Sequence, residues 1–204
     1  TAMMNGIPMR MGTVDNDGYN AFALSKNKEA VEAFWVQLKV AEQSSKGVRL
    51  KDMPAEWFAV PTDGAMKNSM VATRCVFTCN RLMDEEKFEE ADALMAHLLE
   101  IESGIVGLHH DLLMCDRIYV ELIGQNRTEV IASMMTKEQK KFMKAMKRFP
   151  SVLRTQYALA VLEEKNVLKA ETIKGDFDKA AKSYPYPHEI ESERELMRIV
   201  DQKC

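Results

Sequence analysis

Residues 75–103 read CVFTCNRLMDEEKFEEADALMAHLLEIES and hold two consecutive helical patterns. Before Asp84, apolar residues surround nearly the whole helix, which predicts a buried central helix. After Asp84 the apolar residues keep to one face, which predicts a second, amphipathic helix. The residues of that face are Phe88, Ala91, Leu94, Met95, Leu98 and Leu99. The stretch therefore predicts a pair of packed helices.

This helix pair resembles one tetratricopeptide repeat, a helix–turn–helix unit of about 34 residues. Ala91, in the run Lys87–Ala91, matches the small residue at the start of the second helix of that repeat. Cys79 stands where the repeat favours glycine, and Ser103 stands where it favours proline. A weaker copy surrounds Ala170, but its distance from Ala91 is not a multiple of the repeat length. The pattern indicates a tetratricopeptide-like array rather than a regular repeat protein.

Helical spacing continues on both sides of this stretch, and no segment alternates with the period of two that marks a strand. Asn27 is a candidate N-cap for an amphipathic helix over residues 25–45, and residues 48–64 form a loop anchored by Trp57 and Phe58. Further along, Thr136 caps a helix that Pro150 is expected to end. The stripe of the helix over 25–45 consists of Val31, Phe34, Trp35, Leu38 and Ala41.

These patterns predict an all-α fold with about eight helices. We expect an α-helical, tetratricopeptide-like array or an irregular helical bundle over residues 25–204. A non-helical N-terminal arm over residues 1–24 precedes it.

Bulk composition narrows the classes of partner. A net charge of −3 gives no indication of a nucleic-acid surface. No run of about 18 apolar residues predicts a membrane span. The cysteines are scattered through helical segments, so we interpret them as buried thiols rather than as a disulfide framework. Cys75 and Cys79 share a helix face, but no second pair of ligands accompanies them.

Catalytic motifs are scarce. His188 and Glu189 begin a His-Glu-x-x-His pattern, but Ser192 occupies the place of the second histidine. Asp15, Asp17 and Gly18 suggest a calcium loop, yet the required glutamate is replaced by Leu24. No catalytic residue is assigned, and a free-standing helical enzyme is the weakest hypothesis.

The N-terminal arm carries a family resemblance. Asn5-Gly-Ile-Pro8 followed by Asp17-Gly18 is similar to the third motif of site-2-protease-like membrane zinc metallopeptidases. The text from Asp17 to Phe58 also resembles the cytosolic extension of bacterial members. The resemblance implies that Asp17 is a zinc ligand, completing a site whose histidines lie in a transmembrane part of a parent protein. Two imidazoles and one carboxylate leave an open position for a reactive water.

Two functional hypotheses follow. In the first, the chain is a soluble domain on the cytoplasmic side of such a membrane peptidase, serves protein–protein interaction or regulation, and has no catalysis or cofactor of its own. The second is a stand-alone tetratricopeptide-like adaptor that binds a peptide or protein. Candidate partner-binding residues are Trp57 and Phe58 in the loop, and Met143 and Met146 beside a basic helix face.

Overall fold

The computed structural model describes residues 27–203, together with the backbone of Arg10–Met11 and Val14–Asp15. Within this part the fold is all-α and contains nine α-helices, so the all-α part of the fold prediction is confirmed. The two short segments pair as antiparallel strands β1 and β2, with Arg10 opposite Asp15. None of the helices described here is both long and apolar enough to cross a membrane.

The chain divides into two compact units, Thr1–His110 and Asp111–Cys204. The sequence predicted one helical domain over 25–204 and did not distinguish them. The helices of the first unit are α1 (Lys28–Ser45), α2 (Ser69–Asp84) and α3 (Phe88–Glu100), with short 3₁₀ turns at Leu50–Asp52, Ala55–Phe58 and Ala65–Lys67. Helix α4 (Gly107–Ile123) begins at the boundary. The second unit continues with α5 (Thr128–Met134), α6 (Lys137–Ala145), α7 (Pro150–Ala158), α8 (Val167–Ala181) and α9 (Pro187–Asp201).

Side-chain caps set several helix starts. The Asn27 side chain accepts from the Glu29 amide at 2.9 Å, and Thr136 accepts from the Gln139 amide at 3.1 Å, which confirms both predicted caps. The prediction that Pro150 ends a helix is wrong, because α6 ends at Ala145 and Pro150 is the first residue of α7. Proline suits that first position, where an amide hydrogen has no partner within the helix.

Helix α2 is the centre of the first unit, as its all-round apolar pattern predicted. It packs against α1, α3 and the 3₁₀ turns. Its Cys75 and Cys79 are fully buried, as expected of structural cysteines. Ala91 on α3 is also fully buried. The two predicted helices of the opening stretch therefore exist and pack together.

The core of the second unit contains a buried charge network. Arg154 on α7 is 1% exposed, and its guanidinium contacts the Asp116 carboxylate and lies 3.4 Å from a Glu193 carboxylate oxygen. It also lies 4.3 Å from the centre of the Tyr119 ring. Desolvation opposes the charge on Arg154, but the carboxylates of Glu193 and Asp116 outweigh it and raise its pKa. The network thus joins α4, α7 and α9.

We expect Arg154→Met to lower the free energy of unfolding by about 3–5 kcal/mol, because it leaves buried carboxylates without a counter-charge. Urea denaturation followed by circular dichroism measures the change. The double variant Arg154→Met/Asp116→Leu should be less destabilised than the single one, since it removes one orphaned charge as well. Equal or greater loss in the double variant would contradict this account of the network.

Close packing at Gly104 gives a second prediction. A Cβ there would lie 2.5 Å from the Lys67 carbonyl oxygen and 2.8 Å from the Ser69 amide nitrogen. Gly104→Ala should therefore destabilise the first unit by about 1–3 kcal/mol, since backbone must shift. Gly64→Ala is the matched control, because nothing lies within 4 Å of its Cβ and its φ of −62° suits alanine. Thermal unfolding of the two variants side by side should separate them, and similar melting temperatures would contradict the prediction.

Candidate docking surface

Helix α1 is apolar on two opposite faces. The face that packs inward consists of Ala30, Ala33, Val36 and Val40, all of which are buried. The predicted stripe instead faces outward: Val31, Phe34, Trp35 and Leu38 are 53%, 37%, 48% and 55% exposed. The helix itself is confirmed, but the side chosen for burial is the one with smaller residues, because alanine lets α1 approach its neighbours closely.

These four outward residues, together with Trp57, form what we call the Trp35 surface. The Trp57 ring meets the Trp35 ring edge to face, with centroids 5.9 Å apart. Such aromatic pairs prefer this geometry. Apolar surface of this kind, gathered on one helix face, is typical of protein interaction sites. The surface therefore is the strongest candidate for a functional site in the first unit.

Trp57 is held in place from α2. The Arg74 guanidinium donates to the Trp57 carbonyl at 2.8 Å, to the Glu56 carbonyl at 2.9 Å and to the Glu32 carboxylate at 3.0 Å. One turn along, the Thr78 hydroxyl donates to the Phe58 carbonyl at 3.0 Å. These bonds give partners to three loop carbonyls, of which the Phe58 carbonyl accepts a buried hydrogen bond.

The start of the same loop is fixed at the other end of α2. The buried Asp84 carboxylate accepts from Arg49 Nη2 at 2.5 Å and from the Lys51 amide at 3.1 Å. Arg81 donates to the Met53 carbonyl at 2.8 Å and lies 4.7 Å from the centre of the Phe58 ring. Polar side chains at helical spacing on α2 thus determine the path of the loop.

Charges around the Trp35 surface balance each other. Lys39 lies 5.9 Å from the centre of the Trp35 ring and pairs with Glu42 at 2.9 Å. Glu42 also pairs with Lys46 at 2.6 Å, and these two lysines lower the pKa of the Glu42 carboxyl to about 2. The rim is therefore ionised but carries no excess of either sign at neutral pH.

The four residues predicted from the sequence to bind a partner differ in position and burial. Trp57 is partly buried and belongs to the Trp35 surface, while Phe58 is 5% exposed and packs in the core with Val36 and Val40. Met143 is 3% exposed and Met146 is partly buried, and both belong to the second unit. The structure therefore does not join the four into one site. Phe58 and Met143 stabilise their cores.

Asp17, the predicted zinc ligand, lies outside the described residues, so its role stays a prediction. Within residues 27–203, no group of three or more His, Cys, Asp or Glu side chains is placed to hold a metal ion. Sequence reasoning did not identify the outward stripe of α1 as a site. The available signal was the pair of apolar faces on one helix, which one layer of neighbours cannot both cover.

The second unit has a cavity of about 380 Å³ beside the wide helical turn Leu159–Glu163. Its wall includes Tyr157, Val161 and Ala170. The Tyr157 hydroxyl donates to the Asp201 carboxylate, and Lys174 lies 3.8 Å from that carboxylate. Val167 and Leu168 at the start of α8 are 70% and 77% exposed. The cavity is a second, smaller candidate for binding an apolar group.

No family model, curated protein or solved structure matches this chain. Among the described surfaces, the Trp35 surface has the clearest construction: one helix supplies the stripe, and bonds from a second helix hold the neighbouring indole.

We expect Arg74→Ala to release the loop around Trp57, because three acceptors lose their donor. In a Trp35→Phe background Trp57 is the sole indole of the chain, and its quenching by acrylamide should increase. The free energy of unfolding should fall by about 1–3 kcal/mol. Arg74→Lys should recover little, since an ammonium cannot reproduce the planar fork.

Lys67→Ala is the control for this experiment. Lys67 is an exposed cation of the same unit, and its only described ion pair is a 3.7 Å contact with Glu102 at the surface. Exposed pairs contribute little to stability, so quenching and unfolding should match the parent chain. An Arg74→Ala chain as stable and as protected as this control would contradict the proposed role of Arg74.

Proposed function

We propose that this chain is a non-catalytic protein-docking domain, and that the Trp35 surface is its docking site. The observation that carries the proposal is the outward apolar face of α1. Burying four large apolar side chains is favourable by about 1.5–3 kcal/mol for each one fully removed from water. A protein segment with a complementary apolar face is the partner that gains this free energy. The balanced rim charge and the net charge of −3 do not favour nucleic acid.

The parent protein in this proposal is a site-2-protease-like membrane zinc metallopeptidase. Support comes from Asn5–Pro8 and Asp17-Gly18, which resemble the third motif of that family, and from the resemblance that continues to Phe58. The helical units would lie on the cytoplasmic side and serve interaction or regulation. Zinc would belong to the parent, with Asp17 as one ligand. The buried Ala91 between packed helices supports the tetratricopeptide-like part of this proposal.

A stand-alone adaptor that binds a peptide is the second candidate. The observation that favours it is the cavity beside Val161 and Ala170, with the exposed Val167 and Leu168 next along the chain. A peptide with an apolar side chain would fill the cavity, and the exposed pair would extend the contact. This candidate uses the second unit, whereas the first uses the Trp35 surface, so variants can separate them.

Fractionation of the source cells tests whether the chain belongs to a larger, membrane-bound parent protein. An antibody against residues 27–203 should detect a band well above 23.2 kDa in the membrane fraction. A soluble band at 23.2 kDa would overturn the peptidase proposal and leave the adaptor.

Association in trans tests the docking site. Residues 27–203 are expressed as a separate chain in the same cells as the rest of the parent protein, which ends before residue 27. Co-purification of the two pieces is then measured. Trp35→Asp/Leu38→Asp should abolish co-purification, because two carboxylates would be buried on binding. Val167→Asp/Leu168→Asp is the matched control and should leave it unchanged. The reverse pattern would assign docking to the second unit and contradict the role of the Trp35 surface.

A further inference from the structure

We propose that the second unit contacts an anionic lipid surface through a basic face of α6 and the turn that follows it. Residues 137–148 hold six cations and a single acid, Glu138, and all six cations are exposed. The proposal goes beyond the docking function, because it concerns the other unit of the chain and a different class of partner. We call the six cations the lysine surface: Lys137, Lys140, Lys141, Lys144, Lys147 and Arg148.

Four of these lysines share one face of α6. Their positions follow the spacing i, i+3, i+4, i+7, which places the side chains next to each other along the helix. The four are Lys137, Lys140, Lys141 and Lys144. Because an α-helix rises about 1.5 Å per residue, the row is about 10 Å long. The Debye length at 0.1 M salt is also about 10 Å, so an anionic surface interacts with the four charges together.

The other face of α6 is fixed inside the second unit. Met143 and Gln139 on that face are 3% and 4% exposed. The Gln139 side chain donates to the Asp111 carbonyl at 3.0 Å. The Gln156 side chain donates to the Met143 carbonyl at 3.2 Å. Since its apolar face is already packed, α6 does not insert that face into lipid, and the lysine surface acts by charge.

The charge of the lysine surface is not balanced by neighbouring acids. Several exposed lysines of other helices are paired: Lys39 and Lys46 share Glu42 on α1, and Lys179 lies 3.1 Å from Asp176 on α8. Within residues 27–203, by contrast, no cation of the lysine surface forms an ion pair. Like charges three and four residues apart destabilise a helix. The row therefore costs α6 stability, and an anionic surface would offset that cost.

A lipid surface suits these cations better than a protein or a nucleic acid does. Protein interfaces are depleted in lysine and enriched in arginine and aromatic residues. Nucleic-acid sites stack bases on aromatic rings or read them with arginine. Here the only arginine is Arg148, and the only ring within residues 137–148, that of Phe142, is half-buried. Clusters of about four to eight basic residues on an amphipathic helix are typical of surfaces that bind anionic lipid.

Co-sedimentation of the whole 204-residue chain with vesicles tests the proposal. The probe is phosphatidylcholine vesicles with about 30% phosphatidylserine, compared with vesicles of phosphatidylcholine alone. We expect binding only to the anionic vesicles at about 0.1 M salt, and its loss at about 0.5 M salt, where the Debye length falls to about 4 Å. Lys140→Glu/Lys144→Glu should weaken binding at least about ten-fold, because each lysine near an anionic surface contributes roughly five-fold.

Lys182→Glu/Lys203→Glu is the matched control. Both residues are exposed lysines of the second unit outside the lysine surface, and the control changes the net charge by the same amount. Its binding should match that of the unsubstituted chain. Circular dichroism should show that Lys140→Glu/Lys144→Glu keeps or raises the melting temperature, because the change relieves like-charge repulsion on α6. A loss of binding is then distinguished from unfolding.

Equal binding to both kinds of vesicle, or binding to neither, would overturn the proposal. So would equal weakening in the two double variants, because net charge rather than the lysine surface would then decide binding. Tighter binding of polyglutamate or of single-stranded DNA than of the anionic vesicles would also overturn it, by assigning these cations to another class of partner. None of these outcomes affects the Trp35 surface, which the association in trans tests separately.

Discussion

The first unit depends on one row of polar side chains along α2. Arg74, Thr78 and Arg81 donate to carbonyls of the loop after α1, and the buried Asp84 accepts from its beginning. A loop carbonyl buried without a donor would cost about 1–3 kcal/mol, so these bonds decide where the loop lies. Because the loop is fixed, Phe58 enters the core beneath α1, and Trp57 stands beside Trp35 at the surface.

That arrangement explains why α1 leaves its larger apolar residues outside. Phe58 and Met53 from the loop pack with Val36 and Val40 on the inward face of α1. Close packing rewards small residues at such a contact. The outward stripe of bulky side chains on α1 is then left for another protein segment to pack against. A protein segment that docks there would act on this one face of α1.

The second unit follows a different plan. One charged cluster lies in its core, where Arg154 joins three helices through Asp116, Glu193 and Tyr119. Because these side chains are closed off from solvent, the network fits a role in fixing how the helices pack rather than in chemistry. The cavity beside Tyr157 borders the wide turn at the end of α7, and such turns are frequent at functional sites. Packing and binding therefore use separate parts of this unit.

The sequence by itself determined the helices, because apolar spacing and caps act within a few residues. It predicted α2 as a central helix, Asn27 and Thr136 as caps, and the pairing of α2 with α3. It also identified Trp57 and Phe58 as anchors. It did not decide which side of α1 would be buried, because both sides carry apolar residues and only the loop held by α2 makes the choice. Likewise, the sequence does not distinguish Phe58 from Trp57 or Met143 from Met146, because all four side chains are apolar. Phe58 and Met143 are buried because residues distant in the chain pack against them. Local patterns set the elements, and long-range hydrogen bonds and packing decided which surfaces remained free.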